Sequence, residues 1–240
     1  MLSQWLERTE MLIGTESLKK LRESRVLVVG LGGVGAWAAE MICRAGVGSM
    51  TVADGDRVQP SNINRQLLAL ESSVGMSKAL LMGERLLGIN PALNLTVIDE
   101  YVRDEGIITV LDAGYDYVVD AIDSLSPKVF LLYHALARNC RIVSSMGSGG
   151  KFDPLKIRIT DFSETSACTL ARLLRKRLHK LGVREGFKAV WSPEATDKKK
   201  IIPVAGERNK ASIVGTISYM PAAFGIACAS VVIRDLAGIT

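Results

Sequence analysis

Short unbroken apolar runs alternate along the chain with longer stretches that carry apolar residues every three or four positions. That pattern predicts strands buried on both faces alternating with helices. Val26-Leu27-Val28-Val29 is the first such run, and it leads through Gly30-Leu31-Gly32-Gly33-Val34-Gly35 into a helix predicted over residues 34–45 and closed by Gly46. Ser49 to Ala53 predicts a second strand and residues 93–98 a third. The stretch Asp116 to Asp123 carries a fourth, with Asp123 just past its end, and Arg141 to Ser145 a fifth. Residues 3–23 read as two helical pieces broken near Gly14, with Arg8 between them. A short helix begins at Pro60, with Ser61 or Asn62 able to cap it. Ser77 caps the next helix, which Asn90-Pro91 closes, and Ser126-Pro127 supplies the cap and first position of a further one.

Beyond Gly147-Ser148-Gly149-Gly150 the alternation changes. Leu155 to Thr160 alternates apolar and polar residues, suiting an extra strand that would run antiparallel, and Leu170 to Leu181 is a basic helix. Lys188 to Trp191 suits another strand, and residues 192–212, with Lys198-Lys199-Lys200, read as a polar, mobile loop. Ile213 to Ile233 holds no charged residue in 21 positions, enough by length to cross a bilayer. Its Gly215, Pro221 and Gly225, with Ser212, Thr216 and Ser218, argue instead for a loop followed by a buried core or dimer helix, with membrane contact kept as a second reading.

These elements predict an α/β, Rossmann-like, doubly wound fold with a mainly parallel sheet, extra antiparallel strands and a basic C-terminal extension. The expected division is a nucleotide-binding domain over residues 1–165, with residues 166–240 as a basic helix, loop and C-terminal apolar helix packed on the same domain. The net charge of +5 is unevenly spread: residues 172–210 hold twelve Lys or Arg against four Asp or Glu, a local +8, which leaves −3 for the remainder. A basic module on a slightly acidic body favours a polyanionic partner. The four cysteines, Cys43, Cys140, Cys168 and Cys228, form no Cys-x-x-Cys, and His134 and His179 complete no zinc spacing, so reduced thiols in a cytoplasmic protein are expected. The polar, amphipathic start does not read as a signal peptide.

Chemistry concentrates at the ends of the predicted strands. The spacing of Gly30, Gly32 and Gly35, between strand and helix, lets the backbone turn sharply, approach a phosphate and pack the helix closely; Gly33 lies within the same turn. Asp54, about 20 residues on at the end of the second strand, is placed to hold a ribose, while Asp56 lacks that positional argument. Lys78 falls in a helix's first turn, unfavourable against the dipole unless an anion lies beside it. The glycine turn alone also fits an NAD-dependent oxidoreductase, but Arg65 and Lys78 suit a triphosphate better. Asp123, not needed as a helix cap, is left for Mg²⁺.

Together Gly30-x-Gly32-Gly33-x-Gly35, Asp54-x-Asp56, Asn62-x-x-Arg65-Gln66, Lys78 and Asp120-Ala121-Ile122-Asp123-Ser124 resemble the adenylating domain shared by ThiF, MoeB and HesA proteins and ubiquitin-activating enzymes. Within that superfamily the chain is most similar to the tRNA threonylcarbamoyladenosine dehydratases, on Arg8 to Gly14, Asp120 to Ser124 and Cys168 to Arg172 leading into the basic helix. The resemblance implies ATP with its phosphates over Gly30 to Gly35 and its ribose on Asp54. Asn62, Arg65 and Lys78 would reach the phosphates, and Asp123 would hold Mg²⁺. Arg8 would enter the neighbouring subunit's ATP site, implying a homodimer. The implied substrate is tRNA carrying threonylcarbamoyladenosine, with Arg172, Arg175, Lys176, Arg177, Lys180 and Lys198 to Lys200 against its backbone, and a cysteine desulfurase or sulfur-acceptor system is a further implied partner. The alternative is an adenylating activator or binding scaffold for a sulfur-carrier or ubiquitin-like protein. The absence of Cys-x-x-Cys zinc ligands counts against it, and Cys168 is the only candidate for a thioester nucleophile.

Overall fold

The structure, a computed structural model, describes residues 4–197, 199, 201–203 and 212–239. In chain order it runs α1 (Glu7–Ile13), α2 (Thr15–Glu23), β1 (Arg25–Val29), α3 (Gly35–Arg44), β2 (Ser49–Ala53), α4 (Lys78–Ile89), β3 (Asn94–Ile98), α5 (Glu105–Asp112), β4 (Tyr117–Asp120), α6 (Leu125–Ala137), β5 (Arg141–Ser145), β6 (Arg158–Asp161), α7 (Thr169–Lys180), β7 (Lys188–Trp191), β8 (Ile201–Pro203), β9 (Ser212–Val214) and α8 (Tyr219–Ala237). Seven strands pair in the order β3-β2-β1-β4-β5-β7-β6, all parallel except β6, which lies antiparallel to β7. The strand order reverses between β1 and β4, and open α/β sheets bind ligands at the carboxyl ends of the strands flanking such a point.

Alternation along each strand divides the core. Val26 and Val28 of β1 face a layer built on α2, α3, α4 and α8, whereas Leu27 and Val29 face α5, α6 and α7. In α8, Met220, Phe224, Cys228 and Val232 are fully buried. Burying Met, Phe and Val side chains such as these contributes roughly 1.5–3 kcal/mol apiece. The helix is long and apolar enough to span a membrane, but 56% of its most apolar stretch is buried inside the fold, as expected of the core helix. Gly225 lets α8 cross α3 closely: a Cβ there would fall 2.3 Å from Val34 O.

Several sequence expectations need correction. Arg8 lies within α1, not between the helical pieces, because the chain stays helical to Ile13 and turns at Gly14, φ +82°. The short helix at Pro60–Asn62 is capped by Gln59, whose N–H donates to Asn62 Oδ1. Helix α5 was not anticipated: its run Ile107-Ile108-Thr109-Val110 reads by composition as strand, yet Ile107 and Leu111, one turn apart, face the core. The fourth strand ends at Asp120, three residues before Asp123, and Ser124, not Ser126, is the N-cap of α6. The stretch read as one polar loop contains β8, which pairs antiparallel with β9. Lys198 and Lys200 lie outside the described residues. β7, from beyond residue 165, sits inside the main sheet between β5 and β6.

Candidate active site

Two loops meet at the β1–β4 switch point. Gly30 has φ +89°, and a Cβ there would fall 2.8 Å from Ala121 O, so only glycine lets the β1 turn pass under the β4 loop. A Cβ at Gly35 would fall 1.7 Å from Gly30 O, which fixes the close approach of α3 to β1. Gly33 abuts Pro221 of α8 and the Arg65 carbonyl, with Cβ distances of 2.8 and 3.4 Å, and Gly32 faces Gln66 Nε2 at 3.7 Å. The segment Asn62 to Gln66 therefore lies directly against the glycine turn.

On one side of that turn, Asp54 Oδ2 accepts the Leu31 N–H at 2.6 Å and its Oδ1 accepts the Asp56 N–H at 2.8 Å. Burial lifts the Asp54 carboxyl above its usual range, against the opposing pull of the Lys78 ammonium and the two N–H donors. Asp56 Oδ2 is paired at 2.9 Å with Lys78 Nζ, and Asp56 Oδ1 accepts the Tyr101 hydroxyl. That hydrogen bond, with burial added, pushes the Tyr101 phenol up to about 12. Ser77 Oγ accepts the Leu80 N–H, capping α4 as expected. The anion that offsets Lys78 at the start of α4 is thus the protein's own Asp56.

On the other side, Asn62 is buried, and its carbonyl accepts the N–H groups of Arg65 and Gln66, closing the turn. Arg65 donates to Ser61 O and Asn64 Oδ1, both at 2.8 Å. Burial pulls its guanidinium below the ordinary value while the nearby Asp123 carboxylate pulls the other way, which puts these two charges in one field. Gln66 Oε1 is buried with no hydrogen-bond partner, the one such side-chain atom among the described residues. A buried acceptor without a donor costs about 1–3 kcal/mol, so Gln66 suits a ligand bringing a donor to the glycine turn.

These groups fit a nucleoside triphosphate: a glycine cradle at a helix N-terminus, a carboxylate beside it for ribose hydroxyls, and Lys78 and Arg65 on opposite sides. No group of three His, Cys, Asp or Glu side chains among the described residues is placed to hold a metal. The exposed carboxylate of Asp123 suits Mg²⁺, which is bound through one or two carboxylates with phosphates and water. Arg8 does not join this site in its own chain. Leu6, two residues before it, packs on Gly46, beyond the end of α3 remote from the glycine turn.

Sequence reasoning missed the groups beneath Asp123. Asp120 and Lys128, both fully buried, pair at 2.7 Å, and Ser144 Oγ donates to Asp120 at 2.6 Å. The signal was present: a lone aspartate ending an apolar strand, and a lone lysine in the apolar early turns of α6. The basic surface needs one change. Arg172, Lys176, Arg177 and Lys180 on α7, and Lys199, are exposed, but Arg175 donates to Thr165 O at 2.5 Å and is structural. Cys168 caps α7, its Sγ accepting the Ala171 N–H at 3.5 Å.

The architecture and this site define a class. A family model described as ThiF family matches residues 6–240, and the chain belongs to that family. Within it, the chain is similar to tRNA threonylcarbamoyladenosine dehydratases. It is 41% identical to the Escherichia coli enzyme over 177 residues, 72% of this chain and 66% of that protein. It is 39% identical to the Bacillus subtilis enzyme over 188 residues, 78% of this chain and 74% of that one. A solved structure of the E. coli enzyme in complex with ATP matches with a TM-score of 0.89 at 34% identity, covering 98% of this chain and 94% of that chain.

Proposed function

We propose that the chain is an ATP-dependent dehydratase of threonylcarbamoyladenosine in tRNA, acting through a carboxyl-adenylate. What supports this reading is that Asp54 and the Arg65 backbone both lie against the glycine turn, that Asp123 acts on Arg65 electrostatically, and that Lys78 is paired with Asp56 and acts on Asp54. The similarity to enzymes of that name supplies the substrate.

The ribose of ATP rests on Asp54 and the phosphates lie over Gly30 to Gly35, flanked by Asn62, Arg65 and Lys78, while Gln66 Oε1 is left for a donor on the nucleoside. Asp123 would hold Mg²⁺, which when bound would supply screening of negative charge on the phosphates. The threonyl carboxylate attacks the α-phosphorus; an oxygen–phosphorus bond forms, the bond to the β-phosphate bridge breaks, and pyrophosphate leaves. The ureido group of the same nucleotide then closes onto the activated carbonyl and expels AMP, so the nucleoside loses the elements of water. Lys78 and Arg65 stabilise charge that grows on the phosphates, and removing one such donor costs about 2.7–4 kcal/mol of barrier. Ring closure is intramolecular, and orientation can supply about 7–11 kcal/mol without a covalent enzyme intermediate.

Exposed Arg172, Lys176, Arg177 and Lys180, with Lys199, hold the tRNA backbone, positioning the anticodon loop without reading sequence. A homodimer brings Arg8 of each subunit to its neighbour's ATP, which accounts for an arginine remote from the site of its own chain. The enzyme works in the cytoplasm, in keeping with four unpaired cysteines. The test is nucleoside mass spectrometry after incubation with ATP and modified tRNA. A product lighter by one water, made only with ATP and lost in Asp123→Ala, is expected; unchanged threonylcarbamoyladenosine refutes the reading.

A further inference from the structure

The carboxylate assigned to the metal stands on a backbone gripped from below. Asp120, the last residue of β4, is fully buried, and so is Lys128 in the first turns of α6. Besides their 2.7 Å ion pair, the two side chains hold the same residue from opposite sides: Ile122 N–H donates to Asp120 Oδ1 at 3.1 Å, and Lys128 Nζ donates to Ile122 O at 3.0 Å. Ser144 Oγ fixes the other Asp120 oxygen at 2.6 Å, and Ala121 N–H donates to Val29 O at 2.9 Å. The N–H groups of Ala121 and Ile122, and the carbonyl of the peptide leading into Asp123, are therefore engaged. Asp123 follows directly on this held backbone, its carboxylate in the electrostatic field of Arg65.

Such a pair is expensive. Removing two charges from water costs several kcal/mol per ion, and apolar replacements of buried pairs are often neutral or stabilising. The apolar helix α8 adds to that cost, since its fully buried Cys228 lies in the field of both Asp120 and Lys128, and burial pushes its thiol up to about 12. Stability alone does not account for a charged pair here, whereas geometry does: a lysine reaches a carbonyl oxygen that no apolar side chain could hold.

We infer that Lys128, set by Asp120, is a positioning residue that holds the Ile122–Asp123 peptide so that Asp123 meets the metal–ATP complex without rearrangement. This rests on Asp123 being the metal-binding carboxylate, as proposed above. It is independent of which substrate is adenylated.

The test compares nucleotide binding with and without metal in the full chain. In the double variant Asp120→Asn, Lys128→Met, the asparagine keeps an acceptor for the Ile122 N–H while the grip on the Ile122 carbonyl is lost. The ATP dissociation constant in the presence of Mn²⁺, followed by the paramagnetic signal of free Mn²⁺, should rise about 10-fold. Metal-free ATP affinity, measured in chelator, should stay within about 2-fold. Equal loss in both, or loss in neither, overturns the inference. A second measurement needs no variant. In the wild-type chain the Ile122 amide should exchange slowly with deuterium before nucleotide is added, and MgATP should not slow it much further. Rapid exchange that only MgATP suppresses would show a loop ordered by its ligand and contradict the assignment. Absence of tRNA dehydration would remove the substrate reading and leave both results standing.

Discussion

Lys78 Nζ lies 2.9 Å from Asp56 Oδ2, the lysine side chain 5% exposed and the aspartate 49%. A buried cation at the start of α4 thus shows solvent little but its counter-ion, and the proposed phosphate contact would draw on a lysine already held in place. This relationship resolves the anomaly that the sequence presents, a lysine in a helix's first turn, and it separates binding from stability. The aspartate is half exposed, so water screens the pair and it contributes little to folding. Lys78→Met should therefore leave the melting temperature within a few degrees of wild type. Charge-assisted contacts of about 1.5–3 kcal/mol to the phosphates should be lost, a 10- to 100-fold rise in the ATP dissociation constant by titration calorimetry.

Gly35→Ala tests the strand–helix approach. Its Cβ would fall 1.7 Å from the Gly30 carbonyl oxygen, a backbone atom that cannot yield without moving α3 from the sheet. Overpacking of this kind costs up to about 3 kcal/mol and sometimes more. Urea unfolding should show at least that loss, and ATP binding should disappear with it.

At the opposite end of the sheet, Asp235 of α8 receives Lys188 Nζ at 2.7 Å and the Tyr117 hydroxyl at 2.8 Å. Burial works to raise its pKa, but these hydrogen bonds prevail and hold the carboxyl below its ordinary value. A depressed folded value means stability fully present above the unfolded pKa, about 3.9, and lost as pH falls through the folded one. Asp235→Asn should lower the melting temperature at pH 7 and flatten the decline of stability below about pH 4. An unchanged acid slope would show that the contact contributes nothing.

Charge reversal at Lys176 and Lys180 tests the proposed RNA surface. Each neutralised phosphate contact contributes about 0.7–0.9 to the slope of log affinity against log salt. The paired glutamate variant should weaken tRNA binding and flatten that slope while ATP affinity stays constant. Equal tRNA affinity at all salt concentrations would move the interface elsewhere.

Much of this was legible in the sequence because the information is local. Ser49–Ala53, Arg141–Ser145 and Lys188–Trp191 match β2, β5 and β7 residue for residue, since buried strands are short apolar runs with polar ends. The glycine spacing, Asp54 and the Ser77 cap likewise depend on neighbours in the chain. What stayed hidden depends on partners far along it. Asp56 meets Lys78 across 22 residues, and Asp120 meets Ser144 across 24. Arg175 looks like any surface arginine until Thr165 is seen under it. Helix α5 was missed because β-branched residues fill a segment whose helical face is visible only once α6 lies against it.

The central claim is that the substrate's own carboxylate is joined to AMP at the glycine turn. It is tested most directly with tRNA whose threonylcarbamoyl carboxylate carries oxygen-18. If the carboxyl-adenylate forms and ring closure expels it, mass spectrometry should find one labelled oxygen in the AMP released. AMP released without label, alongside dehydrated tRNA, would show that the carboxyl group was never adenylated and would contradict the account.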